Sequence, residues 1–166
     1  MTKLSLIFTI LVICGSHSFA QSKSMAFSVL RNREPTVQWN EKSQIKGDFD
    51  YDGTIDYALR GREGKFFILG IVKGSVSRKS KHWMMRFSED AGDQGSLCSV
   101  KSAVINVDDI DKDYFDFAGD YLEADYAITL KKLPKNSKGI NIADGLCDSF
   151  HVFWNKKEKR FMWWRI

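Results

Sequence analysis

The sequence predicts a mostly β protein that folds as a single antiparallel β domain, either a sandwich or a strongly twisted sheet. Short segments rich in β-branched and aromatic residues recur along the chain, and such segments favour strands. Clusters of Gly, Asp, Asn, Ser and Pro lie between them and favour turns. Helix start and stop signals are few, so strands are expected to dominate the fold.

The first segment of the chain, residues 1–20, has the pattern of a secretory signal peptide. Lys3 precedes an apolar run from Leu4 to Cys14, and Ser18-Phe19-Ala20 follows it. This pattern predicts cleavage after Ala20. The apolar run is about ten residues, fewer than the roughly 20 that a bilayer-spanning helix needs. We therefore expect residues 21–166 to form one exported β-rich domain, periplasmic or extracellular, with no transmembrane segment.

The strand pattern then occurs in eight segments. They are Thr36–Trp39, Ile55–Arg60, Lys65–Val72, His82–Phe87, Ser102–Val107, Asp125–Leu130, Phe150–Trp154 and Arg160–Ile166. Turns are predicted at GREG (61–64), KGS (73–75), EDAGDQG (89–95) and PKNSKG (134–139). The last two strands form a predicted hairpin. Val107–Phe117 does not fit a strand, and we expect a short helical turn or an acidic loop there.

Two cysteines, Cys98 and Cys147, follow the predicted signal peptide. Exported chains with two cysteines usually pair them. A bridge would close a loop of about 50 residues and contribute about 4 kcal/mol in the chain-entropy model. The alternative is a nucleophilic thiol at Cys147 with His151 as its base, but pairing is favoured in an oxidising compartment.

The stretch GDFDYDGTIDYA, residues 47–58, contains four aspartates within nine residues. Carboxylates this close repel one another unless a cation lies among them. Oxygen ligands at positions 1, 3, 5, 7 and 9, with a glycine at position 6 for the sharp turn, describe a calcium loop. The predicted ligands of this structural Ca²⁺ are Asp48, Asp50, Asp52, Asp56 and the carbonyl oxygen of Thr54. The alternative is an Asp-rich turn whose side chains cap backbone amides without a cation.

An EF-hand would also require a glutamate at position 12 of the loop, and this chain has Leu59 there. The 13-residue stretch Gly47–Leu59 instead resembles the calcium loop of FG-GAP (VCBS-type) repeats, which occur in the propeller blades of integrin α subunits. The resemblance implies that the four aspartates and the Thr54 carbonyl hold Ca²⁺ in a connection between two strands. A full propeller needs many repeats, so we do not expect one in 166 residues. Gly119–Leu130 shares the ends of this motif without its alternating aspartates, and is either a degenerate copy or a chance match.

The chain has five tryptophans, and two of them, Trp163 and Trp164, are adjacent in a predicted strand. Adjacent strand residues point to opposite faces of a sheet, so these two indoles cannot enter the same core from one face. They either pack under a second layer or form an exposed surface. If the protein has a recognition surface, we expect it at Trp154, Trp163 and Trp164.

Composition and motifs narrow the function. The net charge of +4 comes with scattered basic residues, which argues against a nucleic-acid partner. The sequence contains no G-x-S-x-G, no H-E-x-x-H, no phosphate-binding glycine loop and no Cys/His metal cluster, so we lean away from an enzyme. The predicted function is an exported, calcium-stabilised, non-catalytic binding module of the cell envelope or periplasm that recognises a protein or glycan, with an inhibitor or immunity-type protein as one form. The alternative is a secreted hydrolase that uses the acidic cluster Asp108 to Asp116.

Overall fold

Two antiparallel sheets and one helix form the part of the chain that the computed structural model describes, which is residues 17–90, 95–110, 132–134 and 136–165, with side chains from Met25 onward. The elements are α1 (His17–Arg33), β1 (Gln38–Trp39), β2 (Ile45–Gly47), β3 (Asp56–Glu63), β4 (Phe66–Val72), β5 (His82–Phe87), β6 (Val104–Ile110), β7 (Ser137–Ala143), β8 (Phe150–Asn155) and β9 (Arg160–Trp164). A 3₁₀ turn spans Glu41–Ser43. The predicted fold class, a mostly β domain, is confirmed.

The first sheet is built around β3. β3 pairs with β4 from Tyr57 opposite Val72 to Glu63 opposite Phe66, and β4 pairs with β5. The short strands β1 and β2 pair with the other edge of β3, one after the other. The connection from β2 to β3 contains the acidic loop, so this loop lies at one end of the sheet.

The second sheet is a meander of β6, β7, β8 and β9 in chain order. Its inner face packs on the first sheet through aromatic contacts across the interface. The ring of Trp83 on β5 lies 5.1 Å from that of Trp154 and 5.3 Å from that of Phe161, and Phe87 lies 5.0 Å from Phe150. Burying each such side chain stabilises the fold by about 1.5–3 kcal/mol. This interface is the main hydrophobic core.

Helix α1 covers the opposite face of the first sheet, and the sequence interpretation missed it. Ala26, Val29 and Leu30 have the i, i+3, i+4 spacing of one helix face and are buried against Tyr57 and Leu59 of β3. These packing residues all follow the predicted cleavage point after Ala20. The helix ends just before Pro35, as expected from the restriction that proline imposes on the preceding residue. Within the described residues, the structure contains no helix of the length and apolarity that crossing a membrane requires.

Two glycines make room for Trp39 beneath this helix. A Cβ atom at Gly70 would lie 2.5 Å from Cη2 of Trp39 and 2.9 Å from Cδ1 of Leu30. A Cβ atom at Gly61 would lie 2.9 Å from Cε3 of Trp39 and 2.4 Å from Cγ1 of Val37. The indole therefore packs directly against the backbone of β3 and β4 at these two glycines.

We predict that Gly70→Ala lowers the free energy of unfolding by about 2 kcal/mol, because a rigid ring must move to admit the methyl group. Urea denaturation measures the change. The matched control is the same substitution in a Trp39→Leu background, where the smaller side chain should make Gly70→Ala less costly than in the wild type. Equal costs in both backgrounds would contradict the close packing of glycine and indole.

The predicted disulfide is present between Cys98 and Cys147, which are 49 residues apart in sequence with Cα atoms 5.9 Å apart. A buried carboxylate, that of Asp144, lies between the two cysteine turns. Its Oδ2 accepts hydrogen bonds from the backbone N–H groups of Cys98 and Ser99 at 2.6 and 3.2 Å, and its Oδ1 accepts from those of Leu146 and Cys147 at 2.9 and 3.0 Å. One side chain thus joins the same two segments that the disulfide joins.

Three boundary predictions are wrong. Gly61–Glu63 belongs to β3 and not to a turn, because these residues pair with Phe66–Ile68 of β4. Val107–Ile110 belongs to β6, although its aspartates suggested a loop, because Asp109 lies opposite Lys138 in the register and forms an ion pair with it. Ser137–Gly139 belongs to β7 and not to a turn, because Ile140 and Ile142 anchor the strand in the core. The predicted strand Asp125–Leu130 and the segment Gly119–Leu130 lie outside the described residues.

Candidate functional site

The loop between β2 and β3 is folded around its own carboxylates. Asp48 accepts hydrogen bonds from the N–H groups of Asp52 (3.0 Å) and Gly53 (2.9 Å), which closes a tight turn. Gly53 has a φ of +87°, a conformation that glycine adopts without steric cost. The glycine at position 6 of the motif therefore has its expected role. Tyr51 also has a positive φ, +58°, which is uncommon for a residue with a large side chain.

Aromatic side chains anchor this loop in the main core. Phe49 is fully buried and Tyr51 is 9% exposed, and both belong to the core between the sheets. The carboxylates alternate with these anchors, so Asp50 is drawn into the protein and is only 7% exposed. Burial raises the pKa of the Tyr51 phenol above its usual range.

Asp56 at the start of β3 is fully buried and serves three backbone amides. Its Oδ2 accepts from the N–H groups of Phe49 (3.0 Å) and Asp50 (3.2 Å), and its Oδ1 accepts from that of Gly74 (2.8 Å). Burial raises the pKa of Asp56 to about 6, against the effect of the three amides, and the nearby Asp50 carboxylate also raises it. An ionised Asp56 is thus held at an energetic cost near neutral pH.

Three carboxylates converge in this loop. One oxygen each from Asp48, Asp50 and Asp56 lies within 4.8 Å of the other two. The Oδ1 atom of Asp50 is buried and accepts no hydrogen bond from the described residues. Burying an unpaired carboxylate oxygen is costly. The geometry is that of an acidic cluster able to hold a metal ion through oxygen ligands.

Lys73, which follows β4, forms ion pairs with two aspartates of this loop. Its Nζ donates to Oδ2 of Asp50 at 2.6 Å and also to Oδ2 of Asp52. These hydrogen bonds raise the pKa of Lys73 above its usual range. The single charge of Lys73 is shared between two of the four aspartates of the loop.

Asp52 is held by Thr54 and Lys73 and not by the other carboxylates of the loop. Asp52 lies outside the group of three converging carboxylates, because its Oδ1 accepts from the backbone N–H and the hydroxyl of Thr54 and its Oδ2 accepts from Lys73. Hydrogen bonds from Lys73 and Thr54 hold the pKa of Asp52 well below its usual range. The carbonyl oxygen of Thr54 as a metal ligand stays a prediction.

Sequence reasoning missed Lys73 as part of the site. A local motif cannot include a residue 17 positions beyond Asp56. The signal was the predicted hairpin, because antiparallel pairing of Tyr57 with Val72 brings the residue after β4 beside the residue before Tyr57. Gly74, whose N–H donates to Asp56, comes to the loop for the same reason.

The acidic cluster that suggested a hydrolase is divided between two faces of a sheet. Asp108 and Asp109 are consecutive in β6 and therefore point to opposite sides. Oδ2 of Asp108 lies 2.8 Å from Nδ1 of His151, whose ring stacks on Trp164, while Asp109 is paired with Lys138. These two aspartates do not form a carboxylate pair. Asp111, Asp113 and Asp116 lie outside the described residues.

The proposed recognition tryptophans are largely packing residues. Trp154 is 8% exposed and Trp164 is 4% exposed, and Trp163 is partly buried with its ring 4.9 Å from that of Phe150. The register places Trp163 opposite Val152 and Trp164 opposite His151, so the two indoles do point to different faces. The three tryptophans therefore do not share one exposed surface, and core packing accounts for two of them.

Comparisons of this chain with protein-family models, with curated proteins and with solved structures found no match in any of the three.

Proposed function

We propose that this protein is an exported, non-catalytic binding module whose acidic loop holds a structural Ca²⁺. The observation that carries the proposal is the convergence of Asp48, Asp50 and Asp56, which bring one oxygen each within 4.8 Å of one another. It is supported by the buried Oδ1 of Asp50, which has no hydrogen-bond donor among the described residues. A divalent cation at this point would pair that oxygen.

Calcium is the cation that suits this donor set best. All the converging side-chain atoms are carboxylate oxygens, which hard cations prefer, and Ca²⁺ accepts six to eight oxygen ligands in loose geometry. Mg²⁺ requires near-ideal octahedral placement and keeps several waters. The resemblance of Gly47–Leu59 to FG-GAP loops supports the same choice. Exported modules commonly bind Ca²⁺ with dissociation constants of about 10⁻⁴ to 10⁻³ M.

Export of the module is supported by two features from different parts of the chain. The N-terminal pattern of Lys3, an apolar run and small residues is that of a signal peptide, and the Cys98–Cys147 disulfide suits an oxidising compartment. Cleavage after Ala20 would keep in the mature chain the helix residues that pack on the first sheet. In this setting, the module would recognise a protein or glycan of the envelope, and an inhibitor or immunity-type protein is one form of that function.

Calcium titration of the chelated protein tests the proposal. With a dissociation constant of about 10⁻⁴ M, 10 mM Ca²⁺ would stabilise the fold by about 2.7 kcal/mol, which corresponds to a rise in melting temperature of roughly 5–10 °C for a domain of this size. We expect Asp50→Asn to abolish most of this rise, because it removes the buried charge that faces the cation. Mg²⁺ at the same concentration should produce a smaller rise.

The matched control is Asp90→Asn, which changes an exposed aspartate that is paired with Lys65 and lies outside the cluster. This variant should keep the full calcium response. A wild-type melting temperature that does not rise with millimolar Ca²⁺ would sink the proposal and would leave Lys73 as the cation that the loop uses. An equal rise in wild type and Asp50→Asn would place any bound calcium elsewhere.

A further inference from the structure

A second polar site lies between the sheets at the end of β3. Strand alternation directs Ala58, Arg60 and Arg62 of β3 toward the second sheet. Ala58 is fully buried in the main core, but the next two positions on that face are arginines. Arg60 is half-buried, and its guanidinium donates a hydrogen bond to the carbonyl oxygen of Ala103, which precedes β6. The apolar part of the interface thus ends at Ala58, and the next side chains on this face of β3 are charged.

These arginines line a cavity of about 200 Å³. Lys101, in the turn before β6, supplies a third cation to its lining, and Gln38 and Asn40 supply amide groups. Gln38 lies opposite Arg62 in the register of β1 and β3. The Oδ1 atom of Asn40 accepts from the N–H of Lys42, which leaves the amide NH₂ as the group that it can offer to a ligand.

The floor of the cavity is apolar and the lining contains no carboxylate. Phe67 and Val100, both buried, close the inner side. No ion pair within the described part of the chain involves the three cations of the cavity, whereas Arg86 is paired with Glu63 and Lys65 with Asp90. The described lining therefore supplies no carboxylate to these cations, and the neighbouring carboxylate of Glu89 accepts from the backbone N–H of Val100 at 2.8 Å.

We propose that this cavity binds a phosphate group carried by a small organic molecule. Arg60 donates one N–H to Ala103, and Arg62 donates its Nε–H to the carbonyl oxygen of Gly64 at 3.1 Å. The remaining N–H groups of the two guanidinium groups can donate to phosphate oxygens. Three cations suit the double charge of a phosphate monoester better than the single charge of a carboxylate. The partial burial of Arg60 weakens solvent screening on one side of the site. The volume exceeds that of the phosphate group alone and leaves room for a small attached moiety over Phe67.

This inference goes beyond the proposed recognition of a protein or glycan, because its ligand is a small phosphorylated molecule at a separate site. The cavity and the calcium loop share no residue. Loss of phosphate binding in a protein that still shows calcium-dependent melting would therefore sink the cavity alone, whereas absence of the calcium response would sink the metal site alone.

Titration of the ¹⁵N-labelled protein with inorganic phosphate and with glucose 6-phosphate tests the inference, with sodium chloride at equal ionic strength as the salt control. We expect saturable shifts of the backbone amide signals of Gly61 and Lys101, with tighter binding of glucose 6-phosphate. Vesicles of phosphatidylcholine with and without phosphatidic acid form a third arm, which distinguishes a soluble phosphate from a lipid headgroup. Binding only to the phosphatidic acid vesicles, with no shift by either soluble phosphate, would overturn the proposal.

Arg62→Gln and Lys101→Gln are the test variants, because both side chains are exposed and neither holds the sheets together as Arg60 does. We expect each to weaken glucose 6-phosphate binding by about tenfold, the loss of one charge-assisted contact, without a change in melting temperature. Lys79→Gln, an exposed cation in the turn before β5, is the matched control and should bind as the wild type does. Equal affinities in all four proteins would overturn the assignment of the cavity.

Discussion

An Asp144→Ala variant is expected to unfold with a free energy about 4 kcal/mol lower than that of the wild type. The carboxylate is 6% exposed and accepts four backbone N–H groups, those of Cys98, Ser99, Leu146 and Cys147. Hydrogen bonds to a charged group contribute about 1.5–3 kcal/mol each, and the amides left behind would lose their partner in a partly buried place. Because the four bonds share one side chain, their contributions do not simply add. Urea denaturation at neutral pH measures the loss.

Asp148→Ala is the control for this prediction, since Asp148 lies in the same turn and is exposed. Its effect should stay within about 0.5 kcal/mol, as for ordinary surface substitutions. If Asp144→Ala costs no more than Asp148→Ala, the carboxylate is not what holds the two cysteine turns together.

The cost of Asp144→Ala should also depend on pH. Burial opposes ionisation of Asp144, but the four N–H groups outweigh it and hold its pKa below the usual range. An unfolded aspartate titrates near ~3.9. The stabilisation is therefore complete above that pKa and is lost as pH falls through the lower folded pKa. The difference in free energy of unfolding between wild type and Asp144→Ala should begin to narrow below about pH 4. A difference that stays constant from pH 7 to pH 2.5 would contradict a charged acceptor at Asp144.

Replacing Cys98 and Cys147 together with serine is the second large effect, with an expected loss of about 4 kcal/mol. The bridge closes a segment of 49 residues, and its removal frees the unfolded chain from that closure. The Asp144 carboxylate joins the same two turns, together with a hydrogen bond from the Ser102 hydroxyl to the Asp144 carbonyl oxygen, so it carries more of this connection once the bridge is gone. Asp144→Ala should then cost more in the serine background than in the wild type, as measured by a double-mutant cycle.

Reduced wild-type protein is the control for the serine substitutions, and its denaturation midpoint should agree with that of the double variant. Strictly additive losses from Asp144→Ala and from the serine pair would show that carboxylate and disulfide act on different parts of the fold. That result would contradict the shared closure described above.

Strands were predictable wherever a segment could satisfy the period-two pattern by itself. Lys65–Val72 and Phe150–Trp154 are rich in β-branched and aromatic residues and form β4 and β8 within a residue or two of the predicted bounds. β7 was not predictable in this way, because Ser137 to Gly139 has turn composition and becomes a strand through pairing with β6. Helix α1 was missed because it has few apolar residues, and these are buried only through packing on the face of β3 and β4.

In the candidate site, too, the contacts between residues close in sequence were predictable and those between distant residues were not. The spacing of Asp48, Asp50 and Asp56 is local, and it correctly indicated a converging acidic group. The hydrogen bond from Lys73 to Asp52 is not visible in the motif, because β4 brings Lys73 from a distant position. The arginine cavity was equally hidden, since Arg60 and Arg62 gain significance only from the inward direction of their strand positions.

The hydrogen bond from Gly74 to Asp56 connects two chain reversals that are separate in sequence. The acidic loop joins β2 to β3, while Gly74 lies in the connection that leads from β4 to the edge strand β5. Local opening of either connection would break the same bond, so both should exchange their amide hydrogens as one cooperative unit. Occupation of the loop by a cation would then slow hydrogen exchange at the Gly74 amide. This amide would report metal binding although it lies outside the acidic loop.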